Sequence, residues 1–314
     1  MHLSRRILFA VATLLVALFF TPSAQAVVLK NRVFVSQRSG NDANSCDNIL
    51  TPCQTFAGAV LQLNPGGDAI VLDSGGYGPV TITQGVTIEA AAGVTAFIHP
   101  PSGDAITVNA GSATVTLRGL VLNAGTNSGI TVNSVGILNV ENCLITGFTY
   151  YGIDMLSGGL LNVKGTDITA CFIGIYLLNL TGVVQASIDH CHLDGNGYGF
   201  YAHTTTPGSS TTTATYSTAN NNSSEGWLCG NGSTGKDVLN VEFCTGSENG
   251  DNGLIGGSVN ASSAVRFSNC VFANNGGHGV TNGSSGTVET RGNNTVTGNV
   301  GSATSGTITS FLPL

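Results

Sequence analysis

A glycine followed by an apolar residue recurs at nearly even intervals along this chain of 314 residues. The glycines are Gly129, Gly152, Gly174, Gly199, Gly226, Gly253 and Gly279, so the successive gaps are 23, 22, 25, 27, 27 and 26 residues. A period in this range is typical of solenoids, in which each repeat buries its apolar face only against its neighbours. The repeat therefore predicts a stacked fold and limits where a functional site can lie.

Each repeat contains two short segments in which apolar and polar residues alternate. One follows the glycine, as in Ile130–Val132, and the second follows a few residues later, as in Leu138–Val140. Residues i and i+2 share one face of a strand, so the apolar members of each segment point inward together. Leucine-rich repeats need a Leu/Asn consensus that is absent here, and propeller blades need about 40 residues. The pattern predicts an all-β, single-stranded parallel β-helix of about nine to ten coils.

The first 26 residues have the composition of a secretory signal peptide. Arg5 and Arg6 precede the apolar run 7–20, and Ala24-Gln25-Ala26 provides a small-residue cleavage site. No later run is long and apolar enough to span a membrane. We therefore expect a signal peptide (1–26), an N-terminal strand, cysteine loop and capping helix (27–66) and a β-helix (67–314), in a protein that is secreted to the periplasm or the extracellular space.

The charge of the mature chain argues against nucleic-acid partners. Removing Arg5 and Arg6 leaves eight basic residues against 17 acidic ones, a net charge of about −9. No basic patch is present, which also argues against binding to anionic membranes.

The cysteines separate into two groups. Cys143, Cys191, Cys244 and Cys270 follow the second segment at the same distance on different coils, which predicts a stacked interior column of buried thiols. Cys46 and Cys53 instead flank a short loop before the repeats begin, and in an exported chain we expect them to form a disulfide. No cofactor and no metal site are predicted.

Charged residues also align on successive coils, one position after the second inward pair. Their signs alternate along the series Glu89, Arg118, Glu141, Lys164 and Asp189. Opposite charges one strand apart attract, so the register predicts a ladder of ion pairs that has a structural role.

The start of the mature sequence carries a set of motifs. They are Val33-Phe34-Val35-Ser36, Gly40-Asn41-Asp42, Thr51-Pro52-Cys53-Gln54-Thr55-Phe56, Pro65-Gly66-Gly67-Asp68 and Gly76-Tyr77-Gly78. With the repeats, they resemble the secreted bacterial right-handed parallel β-helix proteins of the pectate-lyase-like superfamily. The resemblance implies a right-handed coil capped by a short helix at about 55–63. It matches no specific enzyme family, because the group includes lyases, hydrolases, epimerases and adhesins.

Two fragments resemble catalytic motifs of that superfamily, but both lack the partners that the chemistry needs. Gly277-His278-Gly279 resembles a polygalacturonase motif, yet the clustered aspartates of such hydrolases are missing. The segment 188–191 resembles a pectate-lyase segment, yet no paired arginines accompany it. Strand alternation also separates Asp189, His190, His192 and Asp194, which argues against a metal site. The catalytic residues stay unknown.

The outward residues of the first segment are the best surface candidates. In coil order they are Thr131, Asp154, Tyr176, Tyr201, Leu228, Ile255 and Thr281. Tyr176 to Ile255 would form an apolar strip beside Asp154, flanked by Tyr151 and Tyr198. An exposed strip of this kind is typical of an interaction site, and aromatic rings suit a sugar ring or a partner protein. The opposing interpretation is that the Thr-rich stretch 204–218 covers the strip, with 204–211 as a protruding loop.

Three functions are therefore open. The first is non-catalytic binding of a polysaccharide or a surface partner through Asp154, Tyr176, Tyr201, Tyr151 and Tyr198. The second is a polysaccharide lyase or glycoside hydrolase with a non-standard site near Asp154, Asp194 or His278. The third is a structural adhesin or spike module, and the oligomeric state, monomer or homotrimer, stays open.

Overall fold

The computed structural model describes residues 29–178, 182–205, 207–230, 235–257, 263–283 and 286–311. The predicted signal peptide and residues 312–314 lie outside the described residues. In the described part, no helix has the length and apolar character needed to cross a membrane.

Parallel strands from successive coils stack into three sheets. In chain order, the first sheet contains Val80–Ile82, Ile106–Asn109, Ile130–Ser134, Tyr151–Met155, Ile173–Leu177, Tyr198–Ala202, Trp227–Cys229, Leu254–Gly256, Val280–Asn282 and Thr304–Ser305. The second contains Lys30–Val35, Leu63–Val71, Val86–Ala90, Thr114–Arg118, Ile137–Glu141, Gly159–Lys164, Val183–Asp189, Ser209–Thr215, Lys236–Glu242, Ala264–Ser268, Thr287–Thr290 and Ile308–Ser310. The result is a right-handed parallel β-helix of about nine turns, as predicted.

Most coils also contain a short third strand, which the sequence analysis did not predict. These strands are Gly75–Gly76, Ala96–Ile98, Leu120–Asn123, Leu144–Thr146, Asp167–Thr169, Val271–Ala273 and Thr295–Thr297. Single bridges through His192, Thr218 and Thr245 connect them across the intervening coils. Most are three residues long and have one inward side chain, such as Ile145, so they give no visible alternation in the sequence.

The spaced glycines are required by the distance between coils. A methyl group on Gly174 would lie 2.5 Å from the carbonyl oxygen of Gly199, the equivalent glycine of the next coil. The same clash, at 2.5–2.8 Å, occurs at Gly129, Gly152, Gly199, Gly226 and Gly253. None of these glycines has a left-handed φ. Close approach of two backbones, and not an unusual backbone conformation, therefore explains the period.

The N-terminal end is covered as expected. Helix α1 (Phe56–Gln62) begins after Thr55, whose side chain accepts a hydrogen bond of 3.0 Å from the Gly58 amide. Phe56, Ala59 and Val60 bury their side chains against the first coils. The helix shields a sheet end that would otherwise offer a template for aggregation. Cys46 and Cys53 form the predicted disulfide.

Polar residues form regular columns along the stack. Arg118 contacts both neighbours of the charge ladder, with Nη1 3.2 Å from Glu89 Oε2 and Nε 2.8 Å from Glu141 Oε2. Lys164 Nζ lies 3.8 Å from Asp189 Oδ2. The ladder is therefore confirmed at these pairs. The cysteine column is also confirmed, and burial raises the pKa of its thiols, so they are poor nucleophiles.

An asparagine column went unrecognised in the sequence. Side-chain amides link Asn222 to Asn249 at 3.0 Å, Asn249 to Asn275 at 3.0 Å and Asn275 to Asn299 at 2.8 Å. Its members recur where the chain turns toward the first sheet. These amides satisfy buried backbone groups of the neighbouring coil.

The Thr-rich segment does not form the expected protruding loop over 204–211. Ser209–Thr215 is a strand of the second sheet, paired with Val183–Asp189 on one side and Lys236–Glu242 on the other. Ser210, Thr212 and Ala214 take the inward positions and are buried. β-branched threonine suits a strand, and pairing on both sides outweighs the low-complexity composition.

Candidate functional site

The predicted surface column lies on the outward side of the first sheet, in the register that the sequence indicated. Backbone pairing aligns Thr131 with Asp154, Asp154 with Tyr176, and Tyr176 with Tyr201. Leu228 and Ile255 continue the column. The coil spacing thus places the candidate side chains of this column next to one another.

Most of the apolar strip is buried, which corrects the expectation of an open strip. Tyr176, Leu228 and Ile255 expose only 8%, 4% and 8% of their surface, whereas Tyr201 is half-buried. Residues 209–215 of the Thr-rich stretch do not provide this cover, because Ser209–Thr215 belongs to the second sheet. At Tyr176 the neighbouring rings of Tyr151 and Tyr201 cover the side chain. The accessible part of the column is consequently the tyrosine-rich end.

Four tyrosines meet there, and we call Tyr151, Tyr176, Tyr198 and Tyr201 the tyrosine cluster. The Tyr176 ring centroid lies 4.8 Å from that of Tyr151 and 5.2 Å from that of Tyr201. Tyr198 and Tyr201 are 5.6 Å apart. The Tyr201 hydroxyl lies 3.2 Å from Nδ1 of His203. Tyr176 thus forms a buried floor, and the other three rings are partly accessible around it.

Two further aromatic residues extend this surface and were missed in the sequence analysis. Tyr150 and Phe172 expose 49% and 52% of their surface, and their rings lie 6.0 Å from Tyr151 and 5.7 Å from Tyr198. Both stand two residues before a repeat glycine. That shared position was the available signal.

Asp154 is the buried acid of this face. It exposes 6% of its surface, and its Oδ1 has no hydrogen-bond partner within the described residues. Burial, assisted by the charge of Asp104, raises the pKa of Asp154 from 3.8 to about 7. The hydroxyl oxygen of Thr131, its partner on the preceding coil, is buried and unpartnered as well. An unsatisfied buried polar group destabilises the fold, so two adjacent ones beside an aromatic surface indicate a place for a ligand.

Asp104 is held in a defined position near this acid. Its Oδ1 accepts hydrogen bonds from Nδ2 of Asn127 at 2.5 Å and from the amide of Ser128 at 3.1 Å. Because the pKa of Asp154 is raised to about 7, a share of these carboxyl groups keeps its proton at neutral pH. Such a carboxyl can donate as well as accept a hydrogen bond.

A second buried acid lies further along the same edge. Glu225 exposes 9% of its surface and accepts a hydrogen bond from the Ser224 hydroxyl. Burial raises its pKa, and the neighbouring Asp251 adds to the effect. Glu225 stands in the turn position that Tyr198 takes one coil earlier. The sequence analysis did not identify it as a functional candidate.

The other proposed site residues are not brought to Asp154. His278 lies close in sequence to Thr281, which is five coils beyond Asp154 in the first sheet. At one strand spacing per coil, Asp154 and Thr281 are about 24 Å apart. His278 Nδ1 lies 2.8 Å from the Ser302 hydroxyl. Asp194 accepts hydrogen bonds from Thr218 and Asn220 at the third sheet. A shared site of Asp154, Asp194 and His278 is therefore absent from the described structure.

The histidines near Asp189 are also divided. His190 Nδ1 lies 2.8 Å from Asp189 Oδ1, whereas His192 Nδ1 lies 2.7 Å from Asp167 Oδ1 on another coil. Within the described residues, no group of three or more His, Cys, Asp or Glu side chains has the arrangement of a metal site.

Comparison with known proteins agrees with the architecture. Residues 104–258 match the family model described as "Right handed beta helix region". Pectate lyase Pel9A superposes with a TM-score of 0.63 at 14% identity, over 90% of this chain and 80% of the lyase. XylC in complex with xylose gives a TM-score of 0.47 at 10% identity, over 84% of this chain and 69% of XylC. No curated protein matches the sequence.

Proposed function

We propose that this right-handed, pectate-lyase-like β-helix binds an extended polysaccharide along the outward side of the first sheet. The tyrosine cluster would be the platform for the sugar rings, and Asp154 the hydrogen-bonding group beside it. The observation that carries the proposal is the buried Asp154 carboxyl, whose Oδ1 has no hydrogen-bond partner within the described residues, next to Tyr176 and Tyr151.

The chemistry of the two groups suits a saccharide. A pyranose presents an apolar C–H face, which packs on an aromatic ring, and hydroxyl groups around its edge. Thr131 and Asp154 offer a buried hydroxyl and a carboxyl that currently lack hydrogen bonds. A sugar hydroxyl that reaches them would remove two desolvation penalties, each of about 1–3 kcal/mol. The fold shared with pectate lyase Pel9A is consistent with a carbohydrate ligand.

The test is retention in affinity gels that contain polygalacturonate, xylan or cellulose derivatives. We expect the wild type to be retarded by one of these polymers and the double variant Tyr198→Ala/Tyr201→Ala to migrate as it does without polymer. Phe97→Ala is the matched control, because Phe97 is also a partly exposed ring but lies on the third sheet. Equal retardation of the double variant and the control variant would contradict the proposed platform.

A second candidate is cleavage of the bound polysaccharide, favoured by the raised pKa of Asp154. A carboxyl that keeps its proton near neutral pH is suited to general acid catalysis. Asp104 is close enough to influence its titration and would be the second carboxylate of a hydrolase. Incubation with the same polymers, followed by reducing-end and 235 nm absorbance measurements, tests this activity. Product formation that persists in Asp154→Asn would exclude this role.

A further inference from the structure

A second group of aromatic residues lies where the chain leaves the second sheet. His190, Tyr216 and Phe243 each follow a strand of that sheet on three successive coils. The His190 and Tyr216 ring centroids are 5.0 Å apart with 26° between the planes, and those of Tyr216 and Phe243 are 5.0 Å apart with 5°. Tyr216 and Phe243 expose 54% and 47% of their surface. We call these three residues the aromatic stack.

The backbone of the aromatic stack is strained. His190, Tyr216 and Phe243 have left-handed φ values of 52°, 48° and 52°. Other coils place asparagine or glycine at this position, as at Asn142 and Gly165, which tolerate it best. Bulky exposed rings in a disfavoured conformation need a reason beyond the fold, and such strain is typical of functional positions.

One face of the stack is open. Gly165 lies one coil before His190, because their neighbours Lys164 and Asp189 are paired in the second sheet. A Cβ placed on Gly165 would lie 2.6 Å from the side-chain oxygen of Asn142 and would meet no atom of His190 within 4 Å. Gly165 therefore places no side chain of its own against the imidazole face that Tyr216 does not cover, and the Asn142 amide lies next to this position.

The imidazole ring of His190 is held in place. Its Nδ1 lies 2.8 Å from Asp189 Oδ1, which also accepts a hydrogen bond of 3.0 Å from the Thr215 hydroxyl. Lys164 Nζ lies 3.8 Å from the other oxygen of Asp189. A ring fixed by such contacts binds with a smaller loss of conformational entropy than a mobile one.

At its other end the stack borders a shallow groove with a mixed polar and apolar lining. Thr215 and Glu242, which directly precede Tyr216 and Phe243, line it together with the polar Thr213, Asn240, Arg266, Ser268 and Arg291 and the apolar Val241, Phe267 and Phe311. The groove thus offers hydroxyl, amide, carboxylate and guanidinium groups along the direction of the coils. These are the groups that hydrogen-bond sugar hydroxyls.

We propose that the aromatic stack and this groove form a second carbohydrate-binding surface, separate from the first sheet. One pyranose ring packs on the open face of His190 above Gly165, with its hydroxyls toward the Asn142 amide. The chain then runs along the edges of Tyr216 and Phe243 into the groove. The site does not rest on the function proposed for the tyrosine cluster, since its residues lie on a different sheet.

The test is isothermal titration of the wild type with xylohexaose, cellohexaose and hexagalacturonate. In the central variant, asparagine replaces His190, Tyr216 and Phe243 together. Asparagine occurs naturally at this position on another coil, as Asn142. Asparagine accepts the left-handed backbone, so we expect an unfolding midpoint equal to the wild type or higher. We expect the affinity for the bound hexasaccharide at this surface to fall at least tenfold.

Two further variants separate the possible results. Gly165→Asn adds a side chain beside the imidazole face at a left-handed position that asparagine tolerates, with a shift of the Asn142 amide, and we expect it to weaken binding at least fivefold. Tyr198→Ala/Tyr201→Ala removes the first-sheet platform and should leave this binding event intact. If only that double variant abolishes binding, the second surface is refuted and the first-sheet proposal stands; the reverse result refutes the first-sheet platform alone.

Other outcomes would also overturn the second surface. No binding heat with any of the three hexasaccharides would do so. A midpoint several degrees lower in the asparagine variant, with unchanged affinity, would assign the stack a purely structural role. A wild type that self-associates while the asparagine variant is monomeric, and binds no sugar, would instead assign the stack to a protein interface.

Discussion

Replacing Asp154 by asparagine should stabilise the protein at neutral and alkaline pH. The pKa of Asp154 rises from 3.8 to about 7 on folding, so the native state binds this proton roughly a thousandfold more tightly than the unfolded chain. Between about pH 4 and pH 7 the native state therefore holds more protons, and the free energy of unfolding falls as the pH rises. Above pH 7 the accumulated loss is about 4 kcal/mol, taken as an order of magnitude.

Asparagine has the same shape and cannot ionise, so the variant escapes this loss. We expect Asp154→Asn to match the wild type near pH 4 and to exceed its free energy of unfolding by up to about 4 kcal/mol at pH 8. Urea unfolding followed by fluorescence of Trp227 measures the difference, since this side chain is fully buried in the first sheet. Glu248→Gln, at an exposed acid, is the control for the change in net charge.

The result that refutes the reasoning is a constant difference between variant and wild type from pH 4 to pH 8. That result would mean that Asp154 ionises in the native state as easily as in the unfolded chain. Affinity gels on the same variant add a second criterion. A gain in stability together with a loss of polysaccharide retention would separate a ligand-binding role from a structural one.

Three predictions concern the scaffold. Gly174→Ala should lower the free energy of unfolding by about 1–3 kcal/mol, because its methyl group meets the Gly199 carbonyl; a thermal midpoint equal to the wild type would contradict the steric explanation. Cys46→Ser/Cys53→Ser should cost about 2.5 kcal/mol through the freed loop of the unfolded chain, and urea unfolding in the presence and absence of reductant checks this. Arg118→Ala should cost no more than about 1 kcal/mol, since this side chain is 39% exposed; 1 M salt should remove the difference.

The sequence was sufficient for the features that depend on spacing alone. The glycine period, the inward pairs such as Ile130 and Val132, and the charges on either side of Arg118 follow from the fact that every coil adds one strand at the same height. Burial of an outward side chain does not follow from spacing. It depends on which rotamers the neighbouring coils adopt, and so the exposure of Tyr176 could be read only from the structure.

The aromatic stack had a signal that was misread. The sequence analysis considered His190 only as a catalytic-motif and metal-site candidate and did not align Tyr216 and Phe243 with it. The missing step was the second-sheet strand Ser209–Thr215, whose inward residues Ser210 and Thr212 hide the alternation of apolar and polar residues. Because that segment was interpreted as a loop, Tyr216 was not aligned with His190 and Phe243.

In a solenoid, the residues at one position on successive coils define what that position requires, and departures from it stand out. Asp154 is a buried acid in a column that continues through Tyr176 and Leu228, and Tyr216 is a bulky ring in a left-handed position that suits glycine or asparagine. Each departure lowers stability. At Asp154 the cause is the burial of an ionisable group, and at Tyr216 it is backbone strain of about 1–2 kcal/mol. Local rules that are broken without a structural gain point to function. The two residues belong to different sides of the coil, so the stability gains of Asp154→Asn and Tyr216→Asn should add within about 0.5 kcal/mol at pH 8. A large deviation from additivity in the double variant would mean that the two faces are coupled, and that the protein has one extended binding surface instead of two.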